Sequence, residues 1–414
     1  MRHQPDPAEA RDPAARERAL FRRLPKLLEI AKAHCPAWKM RLAGVKPEQV
    51  RSRAILAELP VLRKPELMEA QAAKPPFGGF ANPAMLVGAR YFMSPGPVWE
   101  PQIAGGDHWG GARAFRAAGI GPGDLVHCSI SYHMTPGGMI LDEGARAAGA
   151  AVFPAGTGNT ELQITAAAAI RPTAYAGTPD FLKVLLDKAS ETGADLTSIR
   201  RALVSGGALF PSLREEYGKR GVRAMQCYAT ADLGVIAYES QHRNRIVPGM
   251  IVNEDLIVEI VRPGTGDPVA PGEVGELVIT NFNPAYPLIR FGTGDLSAFL
   301  EGTSPCGRTN RRIQGWMGRA DQRTKVKGMF VDPRQIDAIV KAARGIARAR
   351  LVVTRDGDRD VMVLKVRPDG GAQPDAGALA ALLEAHTKLR GRIELVHALP
   401  NDGKVIEDAR DYSK

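Results

Sequence analysis

Apolar and polar residues follow several rhythms along the chain, and changes of rhythm divide it. Up to about Gly44, Leu20, Leu24, Leu27, Leu28 and Ile30 stand among basic residues, a helical spacing that Pro25 is expected to break or turn. Residues 74–101 are rich in Pro and Gly and read as loop. From Asp124, short apolar runs predict strands at 125–130, 151–154, 173–175, 202–205 and 224–228, with helices between them at 143–148, 160–170 and 211–220. Gly149 is a stop for the first helix. Thr178, Pro179 and Asp180 supply the N-cap, first-turn proline and first-turn acid of a further helix, with Phe181, Val184, Leu185 and Ala189 as its apolar face. Strands alternating with helices predict an α/β layered domain.

Residues 256–300 carry no helix signal. Runs at 257–261, 275–280 and 296–300, separated by Gly/Pro turns, predict a β-rich subdomain. The composition shifts after Gly318. Asp332, Pro333 and Gln335 form a capping-box pattern ahead of the stripe Ile336, Ile339, Val340 and Ala343. Strands at 351–354 and 361–366 flank an Asp356-Gly357-Asp358 turn, followed by a helix at 379–389 and a strand at 393–396. The expected organisation is a large α/β domain over residues 1–318, whose N-terminal helical segment runs to about residue 70, and a small α+β domain over residues 319–414.

Composition narrows the function classes. No apolar run approaches the roughly 18 residues that span a bilayer, and the first residues mix Arg, Asp, Glu and Pro without an apolar core, so neither a membrane protein nor a secretory leader is expected. Cys35, Cys128, Cys227 and Cys306 are scattered, which fits a reducing, cytoplasmic setting. The net charge of +10 comes from dispersed Lys and Arg with no aromatic-interleaved stripe. Nucleic acid is therefore not expected as partner, whereas a small polyanion, or simply a solvated basic surface, is compatible.

Five segments carry residues suited to chemistry. Ser205, Gly206, Gly207 and Ala208 follow a strand, where glycines let backbone approach a flat or charged ligand; a plain strand-to-helix turn has the same residues. Tyr228, Ala229 and Thr230 lead to Asp232, a carboxylate able to help hold Mg²⁺ or to cap a helix. Residues 286–295 end in Asp295 behind Gly292 and Gly294, where a carboxylate can accept both hydroxyls of a ribose or occupy an ordinary turn. Gly318, Arg319, Ala320 and Asp321 precede Lys325 and Lys327, and Lys404 lies in residues 399–404 near the end; basic linkers and tail lysines are commonly just solvated.

In this order and at these separations, the segments resemble the adenylate-forming (AMP-producing) ligase superfamily, and within it phenylacetate–CoA ligases and their relatives. The resemblance runs from about Asp124 to Lys404 and is most specific at residues 286–295 and 318–333. It implies that Asp295 binds the ribose, Arg319 contacts ribose or phosphate, and Asp321 is the hinge of a mobile C-terminal lid. It places Tyr228 against adenine with Gly206 and Gly207 alongside, Asp232 near Mg²⁺, and Lys404 between substrate carboxylate and α-phosphate. Tyr132 and His133 fall in the region that lines the acid pocket. The implied activity converts an aromatic or other hydrophobic carboxylic acid to an acyl-adenylate and then to a thioester, with ATP, Mg²⁺ and coenzyme A. Loading of a carrier protein, or binding of nucleotide or acyl-CoA without turnover, remain alternatives, and a homodimer is compatible.

The chain also departs from the family pattern. In residues 94–101, where relatives carry a hydroxyl-rich phosphate loop ending in Lys-Pro, only Ser94, Gly96 and Pro101 fit, and Glu100 stands at the lysine. A carboxylate there repels phosphate unless a metal intervenes. Gly207, Ala231 and Gly292 replace Glu, Ser or Thr, and Arg. Cys306 is the one retained residue of a zinc site present in some relatives, so no zinc is expected.

Overall fold

The computed structural model describes residues 5–262, 265–320, 324–331, 333–400 and 405–410. The chain divides into two compact units, Met1–Trp316 and Met317–Lys414.

The first unit is organised by a nine-stranded sheet. Ala151–Phe153, Leu125–Ser129, Ala174–Gly177, Arg201–Val204 and Arg223–Thr230 lie side by side in parallel. Gly234–His242, Arg245–Val252, Arg312–Ile313 and Phe299–Leu300 then continue the sheet antiparallel. Parallel neighbours need crossovers, here the helices Gly137–Ala147, Thr160–Ile170, Pro179–Thr192 and Pro211–Lys219. Side chains alternate across the parallel strands to feed two cores: Val126, Cys128, Ala174, Ala176 and Leu203 on one face, Tyr175, Ala202 and Val204 on the other. The α/β class expected from the alternation is the class observed.

A second sheet pairs Leu62–Arg63 in parallel with Phe291–Ser297, followed by antiparallel Gly275–Asn281 and Leu256–Val261. The N-terminal helix Pro13–His34 packs Leu20, Phe21, Leu24, Leu27, Leu28 and Ala31 into the same core as this sheet. Pro25 does not break it, contrary to expectation: the proline is itself buried on the packed face, and that burial outweighs the missing backbone donor. The polar side of the N-terminal segment is tied down by ion pairs. Arg308 Nε lies 2.6 Å from Glu9 Oε1, Arg16 Nε 2.7 Å from Glu254 Oε2, and the Tyr238 hydroxyl also donates to Glu9.

Two further readings change. The helix Pro179–Thr192 buries Leu182, Leu185, Leu186 and Ala189 and leaves Val184 exposed, so its apolar face is offset from the one read from the sequence. Within residues 74–101, read as loop, Arg90–Ser94 pairs with Val98–Gln102 as an antiparallel hairpin whose proline-containing turn hid the strand signal.

In the second unit, Ile346–Asp356 and Arg359–Pro368 form a long hairpin flanked by Arg392–Leu395 and Ile406–Asp408. The helices Pro333–Ala342 and Ala376–Thr387 cover it through Ile336, Ile339, Leu379 and Leu383.

Arg290 is one of two guanidiniums fully buried among the described residues of the first unit, with Arg308 the other. The Arg290 backbone lies in the left-handed region at φ 46°. Its Nε lies 3.1 Å from Glu259 Oε2, Nη1 donates to the carbonyls of Ala57 (2.7 Å) and Leu59, and Nη2 donates to Gly266 O at 2.6 Å. It thereby joins the β-rich sheet to the segment after the N-terminal helices. Burial holds the Glu259 pKa above its ordinary value even though Arg290 opposes it. Arg290→Ala is expected to lower stability by about 3–5 kcal/mol, because it strands a buried carboxylate and several carbonyls. Arg290→Met combined with Glu259→Leu should recover part of that loss. Urea midpoints measure both, and an unchanged midpoint for Arg290→Ala would refute the assignment.

Candidate active site

The parallel strands Arg201–Val204 and Arg223–Thr230 end side by side, and open α/β sheets place ligands outside such carboxyl ends. Ser205 ties the first end to both neighbours: its N–H donates to Gly177 O at 2.9 Å and its hydroxyl to Cys227 O at 3.0 Å. Gly206 then adopts φ 74°, a conformation costly for most side chains. A Cβ on Gly207 would lie 3.3 Å from Pro179 Cδ. Gln226 Nε2 donates to the Gly207 carbonyl at 3.0 Å, fixing the backbone before Ala208.

Tyr228 lies where the ladder changes from parallel to antiparallel, and its register with the next strand shifts between Tyr228 and Ala229. Its hydroxyl donates to Asp295 Oδ2 at 2.6 Å, and Trp316 Nε1 donates to Asp295 Oδ1 at 3.0 Å. Asp295 therefore joins the two sheets, with one oxygen on each donor. It lies inside the strand Phe291–Ser297 rather than in a turn: Gly292 pairs with Val278, and Gly294, at φ 71°, falls where the register with the neighbouring strand shifts. Its own N–H donates to Thr293 Oγ1 at 3.1 Å. Trp316 is a site residue that sequence reasoning misses; its place just ahead of the Gly318 segment was the available signal.

Thr230 caps the following turn, accepting from Leu233 N–H at 3.3 Å. In that turn Asp232 is buried, with Oδ2 3.1 Å from Lys64 Nζ. Lys64 opens the helix Lys64–Ala73, far away in sequence, and no motif announces it. Glu100 is 1% exposed on the strand Val98–Gln102, and Ser94 Oγ donates to its Oε1 at 2.6 Å. The hairpin is held beside it by a clamp. Gln71 Nε2 donates to Trp99 O at 2.8 Å, Gln71 Oε1 accepts from Trp99 N–H at 2.9 Å, and the Tyr286 hydroxyl donates to Trp99 O at 3.3 Å. Glu100, Asp232 and Tyr286 line one cleft of about 570 Å³. Burial, then the Asp232 charge, push the Glu100 pKa up to about 8, against the opposing pull of Ser94 and Lys64.

The other sequence candidates are more dispersed. Tyr132 is half-buried and donates to Asp142 Oδ2 at 3.0 Å, while His133 is exposed. A Cβ on Gly138 would sit 2.7 Å from Tyr132 Cγ, so that glycine makes room for the ring. Cys306 lies beside Ser304 and Arg308; burial raises its pKa, but hydrogen bonds from Ser240, Ser304 and Arg308 bring it below the ordinary thiol value. In the second unit the Arg319 guanidinium and the Lys325 ammonium each lie 5.9 Å from the Phe330 ring centre. Asp321 and Lys404 lie outside the described residues.

Glu100 takes up its proton far more readily folded than unfolded, so its contribution to stability is present at low pH and is lost as pH rises from about 4.5 through about 8. In chelator-containing buffer, Glu100→Gln is expected to flatten the fall of melting temperature across that window. Parallel wild-type and variant profiles would contradict this protonation behaviour.

Known proteins resemble this chain in sequence and in fold. Residues 162–285 match the family model described as AMP-binding enzyme. The chain is 30% identical to the phenylacetate-coenzyme A ligase of Escherichia coli (strain K12) over 359 residues, covering 83% of this chain and 80% of that protein. It is 30% identical to the phenylacetate-coenzyme A ligase of Aromatoleum evansii over 339 residues, covering 78% and 74%. A crystal structure of 2-hydroxyisobutyryl-CoA ligase, in complex with 2-HIB-AMP and CoA in the thioesterification state, superposes with a TM-score of 0.80 at 25% identity, over 100% of this chain and 93% of that one. At 30% identity over most of both chains, this chain belongs to the phenylacetate–CoA ligase family of AMP-binding enzymes.

Proposed function

We propose that the protein is an AMP-forming carboxylate–CoA ligase acting on an aromatic or other hydrophobic acid. The observation that carries this reading is Asp295, oriented by Tyr228 and Trp316 next to a glycine-bearing strand end, in a chain whose relatives are named CoA ligases. Each carboxylate oxygen accepts more than one hydrogen bond, so orientation by two donors leaves Asp295 suited to ribose hydroxyls. The Gly206–Gly207 backbone and Tyr228 would border the adenine, with Ala208, Ala229 and Thr230 completing the rim.

The reaction joins two anions. In the first step a carboxylate oxygen of the acid bonds to the α-phosphorus of ATP while the bond to pyrophosphate breaks. In the second the CoA sulfur bonds to the acyl carbon, its proton leaves, and AMP departs with the carboxyl oxygen. The chain's work is to position these groups and offset their repulsion. Lys404 would bridge the acid carboxylate and the α-phosphate, and Arg319 would contact ribose or phosphate. Residues 319–414 act as a lid turning at Asp321, which presents first Lys404 and then the CoA-facing segment near Gly328. The Tyr132–His133 region would border the acid.

Mg²⁺ fits the residues present, because Asp232 Oδ1 is buried with no hydrogen-bond partner among the described residues. When bound, the ion supplies phosphate charge neutralisation. The dispersed thiols, all free, suit a cytoplasmic setting; no helix among the described residues is long and apolar enough to cross a membrane.

Incubation with ATP, CoA and a panel of aryl and alkyl acids is expected to release AMP and pyrophosphate and to form a thioester with at least one acid. Folded protein that releases no AMP across the panel would overturn the proposal. Asp295→Ala is expected to lower kcat/KM for ATP about 100-fold, in keeping with roughly 1.5–3 kcal/mol per lost hydrogen bond to a charged group. Trp316→Phe removes one orienting donor and should cost less. Unchanged ATP kinetics in Asp295→Ala would remove the ribose assignment.

A further inference from the structure

Glu100 and Asp232 arrive from different elements, the hairpin strand Val98–Gln102 and the turn after Arg223–Thr230, yet both line the same cleft. They are 1% and 6% exposed. Each carboxylate has one oxygen engaged: Glu100 Oε1 accepts from Ser94 Oγ at 2.6 Å, and Asp232 Oδ2 faces Lys64 Nζ at 3.1 Å. The other oxygen of each, Glu100 Oε2 and Asp232 Oδ1, is buried without a hydrogen-bond partner among the described residues. Buried acceptors that lack donors are costly, and two of them in one cleft call for a shared positive partner.

The charges point the same way. Lys64 is ion-paired with Asp232 and acts electrostatically on Glu100, so with both acids ionised these three groups together carry one net negative charge. Phosphate brought to them directly would be repelled. A divalent cation reverses the sign. Magnesium keeps several waters and is commonly bound through one or two carboxylates plus substrate phosphates, which is the number of carboxylates offered here. The supporting contacts are rigid. Ser94 orients Glu100 from one side, and the Gln71 clamp fixes the backbone of the preceding residue, Trp99.

We propose that Glu100 Oε2 and Asp232 Oδ1 are the protein ligands of one divalent cation that carries the phosphates of the bound nucleotide. The hairpin spanning residues 94–101 then holds phosphate through a metal, where relatives use a lysine ammonium. This inference rests on the ligase reading for the identity of the phosphates, but the cation seat itself does not.

The test uses Mn²⁺ as probe on the full chain after chelator treatment, following the free-Mn²⁺ electron paramagnetic resonance signal with and without α,β-methylene-ATP. Wild-type protein is expected to withdraw one Mn²⁺ per chain. Glu100→Gln, which keeps the shape of the side chain and an acceptor for Ser94, and independently Asp232→Asn, are expected to raise the Mn²⁺ Kd at least tenfold. Wild type should also melt at a higher temperature with Mn²⁺ present, a readout that needs no variant. The proposal is overturned if the wild type removes no Mn²⁺ beyond what the nucleotide analogue holds, or if a folded Glu100→Gln binds Mn²⁺ as the wild type does. AMP binding, followed by calorimetry without metal, separates the two readings. AMP bound with no Glu100-dependent Mn²⁺ site sinks the cation seat and leaves the ligase reading standing. A Glu100-dependent Mn²⁺ site in a protein that binds neither AMP nor the analogue keeps the seat and refutes its assignment to phosphate.

Discussion

A carboxylate removed from water needs a partner, and the first unit shows several ways of supplying one. Glu9 is matched by Arg308, Glu254 by Arg16 and Glu259 by Arg290, each acid nearly sealed from solvent and each pair closing a long stretch of chain. These guanidiniums also donate to neighbouring carbonyls or side chains, which is what makes a buried ion pair tolerable. Asp295 accepts hydrogen bonds from Tyr228 and Trp316, one to each oxygen. Glu100 and Asp232 each keep one buried oxygen without a hydrogen-bond partner among the described residues, and the two line the same cleft. What sets the candidate site apart is that two such acids share one cleft, the kind of arrangement from which function draws on electrostatic cost.

How much of this could be read from sequence depends on the range of the physics involved. The βα units between residues 124 and 230 were legible because strand and helix periods and caps such as Thr178 are local. Asp295, Tyr228 and the Gly206–Gly207 turn were singled out through their order along the chain, and the structure joins Tyr228 to Asp295 by a hydrogen bond. The hairpin at residues 90–102 was not, because prolines and glycines mask a ladder whose support comes from Gln71 and Tyr286. The continuity of the first helix through Pro25 was also hidden, since it depends on a distant core. Lys64 and Trp316 could not be found from spacing alone. Each meets its carboxylate only after the sheets have assembled.

The structure bears on two of the departures from the pattern that the resemblance implies. Glu100 at a lysine position looks disabling in one dimension. In three dimensions it faces Asp232 and Lys64, so the altered residue sits within a redistributed set of charges rather than alone among phosphates. Gly207, where the resemblance leads one to expect Glu, has its carbonyl fixed by Gln226, and the Pro179 ring leaves little room for a side chain.

The ion pairs of the N-terminal helix have a consequence for biosynthesis. Arg16 finds its partners at Glu254, Thr309 and Asn310, and Glu9 finds Arg308. At bacterial or eukaryotic elongation speeds, the ribosome needs on the order of tens of seconds to make the intervening chain. Throughout that interval the row Leu20, Phe21, Leu24, Leu27 and Leu28 has no completed surface to cover it. A nascent chain displaying such a row is a natural client for ribosome-associated chaperones, and docking of the first helix becomes a late event in the maturation of the domain.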